Sequence, residues 1–193
     1  TVDALSNRST NVYDAASRLQ ATIDPLNNRT TFSYNAAGRQ IALQDANNIL
    51  TTNTYDNAGR IVAVQNARGD YTTYLYDNTG NRTVVVDGGG NRVTFQFDAL
   101  NRNTVLIDQL GNRTTYSFDA VGSQTLRIDA NSTRTTYSYD SLGRQTGVVY
   151  QDATRVTNTY DALSQRLTMQ DSTGTMTFAY DAAQRMTRVT YPG

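Results

Sequence analysis

The 193-residue sequence contains no cysteine and no histidine, and it has only two prolines. Without Cys or His, the chain can have no disulfide, thiolate nucleophile, imidazole base or Cys/His metal site. Much of ordinary enzyme chemistry is excluded with them. We therefore expect no catalytic residue, no metal and no cofactor.

The charged residues are equally restricted. All 17 basic residues are Arg and all 17 acidic residues are Asp, so Lys and Glu are absent and the formal net charge is zero. Lys and Glu are common helix formers, whereas Asp favours turns, so this choice of charges argues against helix. A pI of about 6.1 gives no basic surplus for phosphates, and we expect no nucleic-acid partner.

Long apolar runs are absent as well. No stretch of about 18 apolar residues occurs, so we expect no membrane insertion. The chain begins at Thr1, without a Met or a signal-like apolar segment, and we expect it to be a fragment of a longer polypeptide. The lack of Cys is compatible with an extracellular or a cytoplasmic location and does not distinguish between them.

What the sequence does contain is a repeat. Nine times an aromatic residue is followed by Asp or Asn and a short turn, with seven intervals of 21 residues and a last interval of 20. Such a period predicts units that each lean on their neighbours. We expect residues 1–193 to form a single continuous array of about nine units, starting mid-repeat. The aromatic residues are Tyr13, Tyr34, Tyr55, Tyr76, Phe97, Phe118, Tyr139, Tyr160 and Tyr180.

The sequence of each unit predicts one β-hairpin. In the second unit the strand-length runs RTTFSY and RQIALQ flank the turn residues NAAG, and a second type of turn, such as DPLNNR (24–29), recurs half a unit later. Strands joined by such short loops must be antiparallel. The predicted fold class is therefore all-β, with tandem antiparallel β-hairpin repeats of period 21 forming about seventeen strands. Because long open sheets usually curl, we expect a curved or spiralling single sheet.

Three further residue types recur in the turns after the aromatic residues. The Asp side chain can accept hydrogen bonds from amides two residues on, and Gly can adopt positive φ. The Arg after the turn is expected to form Arg–Asp ladders between repeats or to stack on Tyr faces. With the nine aromatic residues, we predict these as structural repeat anchors: Asp14, Asp56, Asp77, Asp98, Asp119, Asp140, Asp161 and Asp181; Gly38, Gly59, Gly80, Gly122 and Gly143; Arg39, Arg60, Arg102 and Arg144.

Aromatic residues also stand two positions apart, as in Phe32 and Tyr34. A period of two places both rings on one face of a strand. We expect an aromatic ladder on this face, with small polar residues such as Thr31 and Ser33 on the other face.

The strings YDNAGR (55–60) and YDSLGR (139–144), followed by an Asp turn half a unit later, resemble the YD repeat of Rhs proteins, wall-associated bacterial toxins, Tc toxin shell subunits and teneurins. In that family, hairpins wind in a spiral and build a hollow shell that often encloses a toxic C-terminal domain. The resemblance implies a secreted or cell-surface bacterial protein. It implies a scaffold segment that encloses or presents a C-terminal toxin or effector domain, with the rest of its parent chain as partner.

The sequence departs from the YD pattern at several positions. Ser17 and Ser164 replace the turn Gly, and Asn35 replaces the Asp; Asn81, Ser123 and Gln165 stand where Arg is usual. The DPxGL-type core that carries self-cleavage in many Rhs shells is absent, since Leu26 directly follows the single Asp-Pro, Asp24-Pro25. We expect no self-cleavage.

Two other functional classes stay open. Exposed tyrosines, which can stack on sugars, would suit a carbohydrate-binding or adhesion module at the cell surface. A glycosidase or lyase would need an Asp pair, but the Asp residues recur at turn offsets, which favours turn capping. Asp70 lies off register in an ARGD turn, and DGGGN (87–91) lacks the Asp spacing of a calcium cage. Unpaired edge strands would allow edge-to-edge self-association of the isolated chain.

Overall fold

The structure is a computed structural model that describes residues 8–193. This part of the chain contains eighteen β-strands and no helix. In chain order the strands are β1 (Thr10–Tyr13), β2 (Leu19–Ile23), β3 (Arg29–Tyr34), β4 (Gln40–Gln44), β5 (Leu50–Tyr55), β6 (Ile61–Gln65), β7 (Tyr71–Tyr76), β8 (Arg82–Val86), β9 (Arg92–Phe97), β10 (Asn103–Ile107), β11 (Arg113–Phe118), β12 (Gln124–Ile128), β13 (Arg134–Tyr139), β14 (Gln145–Val149), β15 (Arg155–Tyr160), β16 (Arg166–Asp171), β17 (Gly174–Tyr180) and β18 (Met186–Thr190).

The chain divides into two compact units, Thr1–Thr94 and Phe95–Gly193, and the division falls inside β9. In the first unit each strand from β1 to β8 pairs antiparallel with the next. In the second unit β10 to β18 form the same meander. Each pair is a hairpin between chain neighbours because loops of this length can only join antiparallel strands.

The pairing register repeats from hairpin to hairpin. In the hairpin of β3 and β4, Phe32 stands opposite Leu43, and the register shifts by one residue between Ser33 and Tyr34. The same shift directly precedes the aromatic residue in the hairpins of β5, β7, β11, β13, β15 and β17 with their following strands. This β-bulge sets the position of the aromatic residue at the entrance of the turn.

The two faces of the strands differ as the period-2 pattern predicts. Tyr34 is half-buried, whereas its neighbour Ser33 on the opposite face is exposed. The same alternation ends β5, β7, β9, β11, β13, β15 and β17, but not β1, where Tyr13 is exposed. Each of these strands leads into a YD turn, the turn that follows a repeated aromatic residue. Few side chains are fully buried: in residues 8–193 the buried apolar residues are Ala21, Val84 and Val105. Strands such as β4 and β6 consist of half-buried residues, so most apolar side chains are only partly covered.

The short last interval has a local cause. In the final repeat, β16 and β17 are joined by a tight turn in which Asp171 pairs with Gly174, whereas the earlier turns span five residues. The predicted fold class of all-β antiparallel hairpin repeats is confirmed, with eighteen strands in residues 8–193 where about seventeen were expected. The curvature of the sheet and the single continuous array over residues 1–193 stay predictions, and residues 1–7 of that array lie outside the described residues.

Candidate functional site: contacts between repeats

The turn after each aromatic residue is organised by the side chain of its first residue. In the first repeat, Asp14 Oδ1 accepts hydrogen bonds from the amides of Ala16 and Arg18, both at 2.9 Å. The Asp14 amide donates to the Arg18 carbonyl at 2.9 Å, and the Ser17 amide donates to the Asp14 carbonyl at 3.0 Å. Corresponding backbone bonds close the turns that begin at Asn35, Asp56, Asp77, Asp98, Asp119, Asp140, Asp161 and Asp181.

The fourth residue of each turn adopts a left-handed backbone conformation. This conformation costs little for glycine because glycine has no Cβ. The glycines here are Gly38 (φ 76°), Gly59 (85°), Gly80 (94°), Gly122 (98°) and Gly143 (76°). The other YD turns place Ser17 (59°), Asn101 (60°), Ser164 (64°) and Gln184 (63°) in the same conformation.

Arg18 joins its own turn to the next repeat by three contacts. Its Nε donates to Asp14 Oδ2 at 2.7 Å, and its Nη1 donates to the backbone carbonyl of Asn35 at 3.2 Å. Its guanidinium carbon lies 4.9 Å from the centre of the Tyr34 ring, within cation–π range. Since Tyr34 and Asn35 belong to the following repeat, one side chain connects two hairpins. We name this set of three contacts the arginine clamp.

The arginine clamp recurs at Arg60, Arg102 and Arg144. Their Nε atoms lie 2.7, 2.7 and 2.6 Å from the Asp of their own turn, and their Nη1 atoms lie 3.2, 2.7 and 2.7 Å from the carbonyl that begins the next turn. Their guanidinium carbons lie 4.6, 4.9 and 4.9 Å from the ring centres of Tyr76, Phe118 and Tyr160. Within residues 8–193, Arg185 makes only the contact to the Asp of its own turn, Asp181.

Arg39 forms an incomplete clamp. Its turn begins with Asn35, so no carboxylate faces the guanidinium, whose carbon lies 5.5 Å from the Tyr55 ring centre. Its Nη1 is buried and has no hydrogen-bond partner in residues 8–193. A Cβ at Gly59 would lie 2.5 Å from this nitrogen, so the guanidinium rests against the Gly59 backbone.

Tyrosine hydroxyls connect the repeats in the opposite direction. The Tyr34 hydroxyl donates to the carbonyl of Leu19 in the preceding repeat at 2.8 Å. Equivalent bonds of 2.7 to 3.0 Å run from Tyr55 to Gln40, Tyr76 to Ile61, Tyr139 to Gln124, Tyr160 to Gln145 and Tyr180 to Arg166. Phe97 and Phe118 have no hydroxyl and cannot make this bond, and Tyr13 is mostly exposed.

Hydrogen bonds within the turn lower the pKa of several of the turn carboxylates. The Arg18 amide is the largest of several hydrogen-bond donors that lower the pKa of Asp14. For Asp77 the side-chain amide of Asn81 is the largest cause, and the pKa falls from 3.8 to about 2. In the opposite direction, burial raises the pKa of Tyr139, and the nearby Tyr137 and Asp119 add to this. Carboxylates that accept several amide bonds are suited to fixing turns rather than to transferring protons.

The structure separates the two roles that were expected for Arg. Stacking on the aromatic residue of the next repeat is observed, but the expected Arg–Asp ladder between repeats is wrong for residues 8–193. There the ion pairs of Arg18, Arg60, Arg102, Arg144 and Arg185 lie within single turns. The reason is the five-residue turn, which brings its first and last residues side by side. The fixed D-x-x-x-R spacing was the available signal.

The tyrosine hydroxyl bonds were not predicted. Their acceptors are backbone carbonyls, which any residue supplies, so the sequence carries no signal for them.

Two further Arg residues also lie over aromatic rings: Arg82 over Tyr74 at 4.4 Å and Arg166 over Phe178 at 5.0 Å.

The two segments that stood out in the sequence, DGGGN (87–91) and ARGD (67–70), form ordinary turns. In DGGGN, Asp87 Oδ1 accepts the amides of Gly89 and Asn91 at 2.9 Å. The ARGD segment belongs to a turn begun by Asn66, whose Oδ1 accepts the amides of Arg68 and Asp70. No group of three or more potential metal-ligating side chains occurs in residues 8–193. The same residues include no helix long and apolar enough to cross a membrane.

Comparison with known proteins gives a family. A family model described as the teneurin YD-shell matches residues 3–190. The chain belongs to the teneurin YD-shell family. The resemblance to YD-repeat proteins is thereby confirmed. No curated protein matches the YD-shell chain.

Solved structures similar to the YD-shell chain include components of Tc toxins. TcdB2-TccC3 without its hypervariable C-terminal region matches with 15% identity and a TM-score of 0.69, covering 95% of this chain and 12% of that one. TcdB2-TccC3-Cdc42 matches with 14% identity and a TM-score of 0.67, covering 95% and 12%. The Photorhabdus luminescens Tc holotoxin pore matches with 13% identity and a TM-score of 0.53, covering 92% and 15%. At such identities the likeness establishes the fold alone, and the YD-shell chain spans only a small part of each of these chains.

Proposed function

We propose that this chain is a structural scaffold segment of a YD-repeat shell that encloses or presents a C-terminal toxin or effector domain of its parent protein. The observation that carries the proposal is the pair of contacts that joins consecutive repeats in both directions. Arg60 reaches forward to Tyr76 and the Asp77 carbonyl, and the Tyr76 hydroxyl reaches back to the Ile61 carbonyl. Side chains used in this way stabilise an extended array.

The proposal includes a non-catalytic role and a secreted or cell-surface location. In support, the Asp14 carboxylate accepts amide hydrogen bonds that lower its pKa, which leaves it a poor general acid. Structural neighbours include TcdB2-TccC3 and a Tc holotoxin pore, which favours a shell built from many such repeats. The proposed partners are the remainder of the parent chain and an enclosed domain.

Limited proteolysis of the full-length parent protein tests the enclosure. An enclosed C-terminal domain resists cleavage in the wild type and becomes cleavable in a variant that combines Arg18→Ala, Arg60→Ala and Arg102→Ala. Arg68→Ala is the matched control, because the Arg68 side chain is 88% exposed and its nearest carboxylate, Asp70, is 4.0 Å away. Rapid cleavage of the C-terminal domain in the folded wild type would contradict enclosure.

A carbohydrate-binding role is the second candidate, and one cleft favours it. An open cleft of about 480 Å³ is lined by the rings of Phe95, Phe97, Tyr116 and Phe118, together with Asn103, Leu106 and Gln124. Aromatic rings with a few nearby polar groups are typical of small-molecule sites. Binding on a glycan array that is lost in Tyr116→Ala would support this role, and an array without any binding would count against it.

A further inference from the structure

The second unit contains a cleft at the one YD turn of that unit whose last residue is Ser. The cleft has a volume of about 520 Å³ and is lined by Asp119, Ser123, Tyr139 and Asp140, among others. Ser123 stands 21 residues after Arg102 and 21 residues before Arg144. It therefore occupies the position from which both of those residues form arginine clamps.

The cleft keeps the three groups that hold a guanidinium in the neighbouring clamp. Arg102 is held by the Asp98 carboxylate, the Phe118 ring and the Asp119 carbonyl. The residues 21 positions later are Asp119, Tyr139 and Asp140, and all three line the cleft.

The Asp119 carboxylate is available to a ligand. Its Oδ1 accepts the amides of Val121 and Ser123 at 3.0 and 2.8 Å. Its Oδ2, which corresponds to the oxygen that pairs with Arg in the clamps, has no hydrogen-bond partner in the described residues 8–193. The Asp140 carboxylate, in contrast, is already paired with Arg144 at 2.6 Å.

The walls of the cleft suit the methylene chain of an arginine. Val121 and Leu142 both line it and are 85% and 67% exposed, so their apolar side chains remain largely uncovered. Two repeats further on, Gln165 occupies the equivalent position of the turn, and its Nε2 is buried. The short Ser123 side chain instead leaves this space open.

We propose that this cleft binds a guanidinium group, stacked on the Tyr139 ring, paired with the Asp119 carboxylate and donating to the Asp140 carbonyl. A guanidinium fits better than an ammonium because it is planar, stacks on aromatic faces and donates in two directions at once. The ligand is either a free guanidinium compound or an arginine side chain of another polypeptide. This binding site is distinct from the scaffold role and does not depend on it.

The test is a titration of the ¹⁵N-labelled chain, followed by the NMR amide shifts of Ser123 and Tyr139. Methylguanidinium and the peptide Gly-Gly-Arg-Gly-Gly represent the two sources of the group. Matched peptides with citrulline or Lys in place of Arg serve as controls. We expect saturable shifts with both guanidinium probes and weaker binding of both controls. Tighter binding of the Arg peptide than of methylguanidinium assigns a polypeptide source, and the reverse order assigns a free compound.

Three variants locate the site. Asp119→Asn is expected to keep the turn, because Asn35 Oδ1 accepts the same two amide bonds at 3.0 Å, while binding weakens by about tenfold or more. Ser123→Arg should abolish binding, since its own guanidinium fills the cleft. Arg144→Ser should create a second site of the same kind.

Absence of saturable shifts with either guanidinium probe would overturn the proposal. It would also be overturned if Asp119→Asn and Ser123→Arg bound as the wild type does, or if the citrulline peptide bound equally well.

Discussion

At the scale of single residues, each arginine clamp depends on the carboxylate within its own turn. Arg18 is tethered by Asp14 and reaches the next turn, whereas Arg39, with Asn35 in place of Asp, leaves its Nη1 buried and unpaired in the described part of the chain. A buried donor without an acceptor destabilises the folded state. The carboxylate therefore orients the guanidinium as well as pairing with it.

Asn35→Asp should complete the clamp of Arg39. The new carboxylate should tether Arg39 Nε, as in the four complete clamps, and raise the midpoint of urea unfolding. Asn66→Asp is the matched control: Asn66 Nδ2 donates to Asp70 Oδ2 at 3.1 Å, so a carboxylate there would lose this bond and repel Asp70. The midpoint should fall in the control. Equal shifts in the two variants would contradict the tether.

Tyr76→Phe removes a single bond between repeats. The Tyr76 hydroxyl donates to the Ile61 carbonyl at 2.7 Å, and its loss should lower the free energy of unfolding by about 0.5–1.5 kcal/mol. Tyr74→Phe is the control, because the Tyr74 ring lies under Arg82 and the variant keeps the ring. Urea unfolding of both variants measures the difference. A loss as large in Tyr74→Phe as in Tyr76→Phe would mean that the hydroxyl bond is not the cause.

At the scale of the element, the five-residue turn has a fixed backbone requirement at its fourth position. Gly143 has φ 76° and a Cβ there would meet no atom within 4 Å, so only backbone strain opposes a side chain. Gly143→Ala should lower the free energy of unfolding by about 1–2 kcal/mol. Thermal unfolding of the variant measures this cost.

Ala153 offers the reverse substitution at the same turn position. Its φ is 65°, so Ala153→Gly relieves the strain and should raise the free energy of unfolding by up to about 1 kcal/mol, after the entropic cost of glycine. Opposite signs for the two substitutions are expected. Destabilisation by both would show that the left-handed position does not limit the turn.

The turn carboxylates should make the turns between strands sensitive to acid. The folded-state pKa of Asp14, Asp56, Asp98 and Asp181 is lowered mainly by backbone amides of the turn, and that of Asp77 falls to about 2. A carboxylate whose pKa is lowered in the folded state stabilises the fold at pH values above its ordinary pKa of 3.8. This stabilisation is lost as the pH falls through the folded-state pKa. Urea midpoints should therefore be level from about pH 7 to 5 and fall between about pH 4 and 2.

Asp77→Asn provides the control for this pH dependence. Asn can begin the turn, as Asn35 does, but it has no proton to take up in this range. The variant should show a shallower fall below about pH 4 than the wild type. An acid profile unchanged by Asp77→Asn would contradict the assignment of the effect to this carboxylate.

At the scale of the whole chain, the hairpin array could be predicted because its order is local. Strand length, turn composition and the 21-residue period are all visible along the sequence, and the turn of Asp14 with Ser17 closes within five residues. The contacts between repeats were harder to predict from the sequence. Arg18 and Asn35 are 17 residues apart, and the Arg18 contact ends on a backbone carbonyl that no residue type marks. The cleft at Ser123 is likewise lined by residues of two repeats, Asp119 and Asp140, which stand 21 positions apart in the sequence.

Contacts between consecutive repeats are expected to stabilise the whole array of hairpins. Amide hydrogen exchange of the full chain, wild type against Arg60→Ala, tests it most directly. Because Arg60 Nη1 donates to the Asp77 carbonyl, we predict faster exchange in the turn of the next repeat, 77–81, as well as in its own turn, 56–60. Arg68→Ala should leave both turns unchanged. Faster exchange confined to residues 56–60 would contradict the claim, because the clamp would then stabilise only its own turn.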